Sequence, residues 1–246
     1  MAHGYHTLHH WDQWLTHPFL GPHLLQTEQK ILTTSLARCM GKQVLLIGVP
    51  QQISLFDATI IPCHTLLSPL LSRFKTTDLN MIESDFQELA IMTGSVDLVL
   101  LPHTLEFLDN PRRLLAEACR VVKPEGLIAI CGFNPYSAWN LKKKWDGAKT
   151  TEWLGHFIRM HEVKHWLQLA DFELEQHHTC MFRPPIKQEH LYQKLSFMEK
   201  LGAHCWPLLG GVYILIARAK VIPLTPIRWK WKQPLRNIRV STPLSG

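Results

Sequence analysis

The most constraining feature of this chain is one contiguous block in its middle, residues 95–133. SVDLVLLPH (95–103) is apolar on both alternating faces, as strands buried in a parallel sheet are. DNPRRLLAEACRVVKPEG follows, with Asn110 placed to cap a helix and Pro111 suited to its first turn. Leu114, Leu115, Ala118, Val121 and Val122 form one helical face, and Pro124 and Gly126 stop the helix. GLIAICGF (126–133) is a second apolar strand. Strand, helix and strand in about 40 residues form a βαβ unit, whose crossover is right-handed in nearly all folds. The block therefore predicts an α/β protein built on a largely parallel sheet.

Other segments fit this frame. LLQTEQKILTTSLARC (24–39) puts Leu24, Leu25, Ile31, Leu32, Leu36 and Cys39 on one helical face. QVLLIG (43–48) and ATIIPC (58–63) have the length and composition of strands, and MIESDF (81–86) is a weaker candidate. A helix is expected near 161–170, with strands at 172–180 and 211–219. The run NPYSAWNLKKKWDGAKT reads as a polar, solvated loop.

Charge is unevenly distributed. The net charge of +6 comes from 26 basic and 20 acidic residues. Residues 220–246 hold Lys220, Arg228, Lys230, Lys232, Arg236 and Arg239 and no acid, so the remainder is neutral. That excludes a basic nucleic-acid-binding body and assigns any attraction to anions to the tail. Trp229 and Trp231 lie among these cations, a pattern suited to a weak contact with anionic membrane or nucleic acid through residues 228–239. The tail's prolines predict an extended or disordered segment. Six cysteines without a CxxC pair argue against a zinc ribbon or disulfide framework and for a reducing, cytoplasmic setting, with any membrane contact peripheral. The N-terminal sequence lacks the pattern of a secretory signal. Hydrophobic residues at 46% and charged residues at 19% are those of a folded globular chain.

Several pieces resemble the class I S-adenosylmethionine (SAM)-dependent methyltransferases of the type-11 group. SDFQELAI (84–91) resembles that family's acidic turn after the third strand, and SVDLVLLPHTLEF (95–107) its fourth strand and exit. LLAEACRVVKPEGLIAI (114–130) resembles its arginine, lysine-proline-x-glycine and apolar-strand block, and WLQLADFELEQ (166–176) its late helix and sixth strand. WDQWLTHPFLGPHLL (11–25) and FNPYSAW (133–139) look like features of a bacterial subgroup with a degenerate first motif. The resemblance implies a Rossmann-like fold, a mostly parallel seven-stranded sheet with helices on both faces. It divides the chain into an N-terminal helical segment 1–42, a methyltransferase-like domain 43–219 and the tail 220–246.

It also implies SAM as cofactor, lying across the C-terminal strand ends where open α/β sheets bind ligands, and methyl transfer to a small-molecule acceptor. Gly48, Val49 and Pro50 would form the cofactor turn, Asp85 and Phe86 would meet the adenine, and Pro102 would lie by the methyl group. His103 is the nearby candidate for a general base. The turn departs from the family pattern. Leu46 stands where an acid is expected, and Pro50 and Gln52 stand where glycines are expected. Pro50 lacks an N–H and fixes φ. The strand-two exit, taken at Ile61–Pro62–Cys63–His64, offers no carboxylate for the ribose, and Asp57 lies at its wrong end. The nine residues 49–57 are short for a parallel crossover, so a stub of helix or an altered second strand is expected. A catalytically degenerate protein of the same fold, serving as a binding or membrane-associated partner, is the alternative. Nothing in the sequence sets the oligomeric state.

Two further motifs carry histidines at suggestive spacing. His161-Glu162-Val163-Lys164-His165 spells the HExxH zinc pattern, but Val163, Trp166, Leu167 and Ala170 take the buried stripe and Lys164 shares the face of the histidines. No metal site is expected. His3, His6, His9 and His10 predict a frayed polar N-terminus, while Trp11, Trp14 and Phe19 dock on the body or cover a pocket as a lid.

Overall fold

The computed structural model describes residues 2–71, 79–86, 88–146, 155–186 and 188–220. Two helices, α1 (Ala2–Leu15) and α2 (Leu20–Ser35), precede the sheet. Strands β1 (Gln43–Ile47), β2 (Cys63–Ser68), β3 (Asn80–Glu83) and β4 (Val96–Pro102) follow, then α3 (Pro111–Val121) and β5 (Val122–Phe133). After these come α4 (Ala138–Asp146), α5 (Met160–Leu169), β6 (Phe172–Cys180), α6 (Glu189–Lys194), α7 (Phe197–Cys205) and β7 (Val212–Ala219). The seven strands form one sheet in the order β3-β2-β1-β4-β5-β7-β6. All pairs up to β5 are parallel, and β7 runs antiparallel between β5 and β6. This is the largely parallel sheet that the βαβ block predicts and the seven-stranded, Rossmann-like form that the resemblance implies.

The residues explain the layers. β1, β4 and the second half of β5 are buried on both faces, hence their unbroken apolar runs. β6 is an edge strand, and it alternates buried Phe172 with exposed Glu173 and Glu175. In α3, the Asn110 side chain accepts the Arg113 N–H at 3.3 Å, capping the helix as expected. Leu114, Leu115 and Ala118 of that helix are buried. Asp97 accepts the backbone N–H groups of Lys42 and Gln43 and pairs with Lys123 at 2.8 Å, which ties the starts of β1, β4 and β5 together. These partners outweigh the effect of burial and lower its carboxyl pKa.

Four expectations need correction. ATIIPC is not a strand: a 3-10 segment, Pro50–Ala58, replaces the crossover helix, and β2 starts only at Cys63. Pro62 cannot donate to a ladder, so pairing begins after it. The short crossover takes the stub form that its length foretells. β5 starts at Val122 rather than Gly126, with a register shift opposite Val96–Leu98. Residues 138–146, read as loop, are helix α4. The histidine-rich N-terminus is helix α1 rather than a frayed end. Trp11 and Trp14 are its buried anchors, in one core with the sheet. In α5 the buried positions are Val163 and Leu167, while His161 and His165 are exposed.

Candidate functional site

The C-terminal ends of the strands present Gly48 after β1, Ser68 at the end of β2, Ser84 and Asp85 after β3, Pro102 and His103 at β4, and Phe133 at the end of β5. Moving β2 to 63–68 also moves its exit. The position expected to face a ribose is Ser68, buried, with its hydroxyl 3.3 Å from the Leu70 N–H.

The turn after β1 is fully engaged. Gly48 N–H donates to Leu67 O at 3.1 Å, and Val49 N–H donates to Gln52 Oε1 at 3.0 Å. Pro50 has no N–H. Gln51 N–H points to Asp12 Oδ1 of α1 at 3.4 Å, and Gln52 N–H donates to Val49 O at 3.0 Å. The Gln52 side chain then crosses to β4, where its Nε2 donates to Pro102 O at 2.8 Å. Gln52 is completely buried. A Cβ added to Gly48 would lie 2.3 Å from Gln52 Oε1, so the glycine's bare face is the seat of this amide. A glycine without a Cβ allows a close approach to the backbone, and here the group that approaches is a side chain. Folded in this way, the turn has no unpaired N–H for a cofactor, and it does not fit SAM while Gln52 is in place.

The exit of β4 is equally enclosed. His103 has φ 55, a left-handed conformation that costs about 1–3 kcal/mol in a non-glycine residue. Its ring is fully buried between two carboxylates, with Nε2 2.5 Å from Glu28 Oε1 of α2 and Nδ1 3.2 Å from Glu106 Oε2. Burial alone would lower its pKa. The charges of Glu28 and Glu106 and their hydrogen bonds outweigh burial and raise it to about 10, so the ring is an imidazolium at neutral pH. In that state both ring nitrogens donate and neither accepts a proton. Glu106 Oε1 also accepts the Phe133 N–H, and Thr104 Oγ1 donates to Ile47 O at 2.6 Å, joining β4 to β5 and β1. Trp11 lies over the cluster, 5.2 Å from the His103 ring, stacked on Phe107 at 5.3 Å and edge-on to Phe133 at 5.6 Å.

The structure thus brings together Gly48, Val49, Pro50, Pro102 and His103 at the exits of β1 and β4. Asp85 is exposed at the neighbouring β3 exit, and Phe86 beside it is buried at 1% exposure. Sequence reading missed Glu28 and Glu106, and it marked Gln52 as a departure from the family turn without finding its partners Val49 and Pro102. Glu28 did leave a signal: an acid lying between Leu24, Leu25 and Leu32 on the apolar stripe of α2. Among the described residues, Glu28 Oε2 and Trp11 Nε1 are buried without a hydrogen-bond partner.

Comparisons with known proteins agree with this architecture. The chain is 34% identical over 145 residues to the uncharacterized protein YafS of Escherichia coli, covering 58% of this chain and 57% of that one. It is 28% identical over 92 residues to a malonyl-[acyl-carrier protein] O-methyltransferase of Laribacter hongkongensis, covering 37% of this chain and 31% of that one. The chain thus spans under two thirds of each of these relatives. A crystal structure from Thermotoga maritima, described as a SAM-dependent methyltransferase and possible histamine N-methyltransferase, superposes with a TM-score of 0.60 at 14% identity. That match covers 87% of this chain and all of the other, and it bears on the fold alone. The family model for the methyltransferase domain of the type-11 group matches residues 63–130, from β2 into β5. A class I SAM-dependent methyltransferase domain is therefore present in this region of the chain.

Proposed function

We propose that the chain is an active SAM-dependent methyltransferase acting on a small-molecule acceptor in a reducing, cytoplasmic setting. The observation that carries this reading is electrostatic. The β4 exit holds two carboxylates against one imidazolium in a water-excluded place, and Glu28 Oε2 has no hydrogen-bond partner there. Such a cluster favours a cationic ligand, because Coulomb attraction is strongest where solvent is excluded. A sulfonium cofactor is one. The closure over Gly48 is made by a side chain and not by backbone, and of the two groups that Gln52 engages, Val49 N–H belongs to the expected cofactor turn and Pro102 O to the β4 exit expected beside the methyl group. The reading therefore requires Gln52 to swing aside. His103 holds its proton within the clamp, so it could act as a base only after Glu28 or Glu106 had moved away.

A second reading is supported by the engaged turn itself: a catalytically degenerate protein of the same fold in which Gln52 permanently replaces the ligand. Calorimetric titration with SAM and its demethylated product divides the two. The first reading expects weak binding by the natural protein and about tenfold tighter binding by Gln52→Gly, a gain of ~1.4 kcal/mol. It also expects Asp85→Ala to weaken binding. If neither the natural protein nor Gln52→Gly shows heat up to millimolar ligand, the methyltransferase reading is wrong and the degenerate one stands.

A further inference from the structure

One side of the molecule leaves apolar side chains in water. In α4, Ala138, Leu141 and Trp145 recur at helical spacing, the pattern of a core-facing stripe. In α3 the corresponding stripe is buried; here Leu141 is 66% and Trp145 87% exposed. The stripe continues onto neighbouring elements. Tyr136 and Ala138 line a cavity of ≈ 410 Å³ with Phe197 and Leu201 of α7 and with Trp206 and Leu209 of the turn before β7. Leu208 in that turn is 67% exposed. Singly exposed apolar residues are ordinary, but a continuous apolar patch marks an interaction surface.

Charge indicates what covers it. Residues 134–146 contain Lys142, Lys143 and Lys144 against one acid, Asp146, a net charge of +2 within a body (residues 1–219) that is neutral overall. Lys143 is turned inward, donating to Gly155 O and lying 4.6 Å from the Phe157 ring centroid, and Lys144 is exposed. On α7, Lys200 is exposed, while Glu199 is paired with Arg183 at 3.1 Å. The rim of the patch is therefore basic. Two copies meeting through this face about a two-fold axis would set basic rim against basic rim, so a second copy is disfavoured. Tryptophans and leucines bordered by lysines match the interface of an anionic bilayer, where the rings sit at headgroup level and the lysines reach phosphates.

We propose that the face formed by α4, α7 and residues 206–209 docks on anionic lipid membranes, with the cavity receiving an acyl chain. This is distinct from any contact made by the basic tail. The start of β7, Val212, pairs with Phe133, and its end, Ala219, lies at the opposite end of the strand; the tail residues 221–246 lie outside the described residues. The proposal is independent of whether methyl transfer occurs.

The test is sedimentation of the full-length protein with phosphatidylcholine vesicles, with and without phosphatidylglycerol. Binding is expected only to the anionic vesicles. The double substitution Trp145→Glu, Leu208→Glu should lower the apparent partition coefficient at least about tenfold with an unchanged melting temperature, because interfacial binding scales with buried apolar area. A triple substitution in the tail (Arg228→Ser, Lys230→Ser, Lys232→Ser) should lower it by less than the face substitutions do. The proposal is overturned if the natural protein ignores anionic vesicles, if the face variant binds as well as the natural protein, or if the tail variant loses more. A dimer in sedimentation velocity that the face substitutions dissolve, without vesicle binding, would identify a second copy as the occupant instead.

Discussion

Glu28→Ala is expected to lower the free energy of unfolding by about 3–5 kcal/mol, the usual cost of removing one partner from a buried ion pair. The imidazolium of His103 would then remain fully buried with Glu106 as its one carboxylate. Glu28→Gln keeps an acceptor and the side-chain shape, so it should cost less. The same cluster sets a pH dependence. Folding raises the His103 pKa from 6.5 to about 10, so the folded state binds the proton more tightly than the unfolded chain. Its contribution to stability is complete below pH 6.5 and is lost as the pH rises through about 10. The nearby thiols Cys131 and Cys180, pushed well above their ordinary pKa of 9.0 by burial, stay neutral in the fold but ionise in the unfolded chain, so they add a loss of stability above pH 9 that His103→Gln shares with the natural protein. Urea unfolding at stepped pH should show the natural protein losing stability across this range and His103→Gln losing less. Parallel curves would mean that His103 does not hold its proton in the fold.

The contrast between what was legible and what was not has a physical basis. The block 95–133 could be read because its information is local: strands buried on both faces appear as apolar runs, and Asn110 and Pro111 mark a helix start beside them. Strand β2 was misplaced because ATIIPC is richer in β-branched residues than CHTLLS, and register against β1 overrides that propensity. Helix α4 was hidden by its lysines and by an apolar stripe that faces solvent. Helix α1 was hidden by histidines, which carry little helical signal. At the site, Gly48, Pro50 and Gln52 were recognisable as departures from a family pattern. What replaces the lost glycines was not, because the partner of Gln52 is the Pro102 carbonyl fifty residues away. Likewise, Glu28 and His103 are 75 residues apart and make sense only together.

Trp11→Ala should cost about 3–5 kcal/mol, as buried tryptophan truncations do. The indole is 1% exposed and touches three layers at once: Trp14 of its own helix at 5.1 Å, Phe107 and His103 beyond β4, and Phe133 at the end of β5. Deleting it leaves a void above the His103 clamp, and the anchors that remain among the described side chains of α1 are buried Leu8, Trp14 and Leu15, the Thr7 hydroxyl 3.4 Å from Phe107 O and the Asp12 carboxylate 3.4 Å from the Gln51 N–H. The consequence should be local before it is global. α1 should open while the sheet remains folded, since the strand ladders do not depend on it. Limited proteolysis is then expected to cut the variant within or just after α1 at denaturant concentrations where the natural protein resists. If Trp11→Ala costs less than about 1 kcal/mol and the cleavage pattern is unchanged, α1 is not a structural cover of the strand ends. If the expected loss is found, α1 is a structural cover of the β4 exit, with Trp11 packed over the His103 ring.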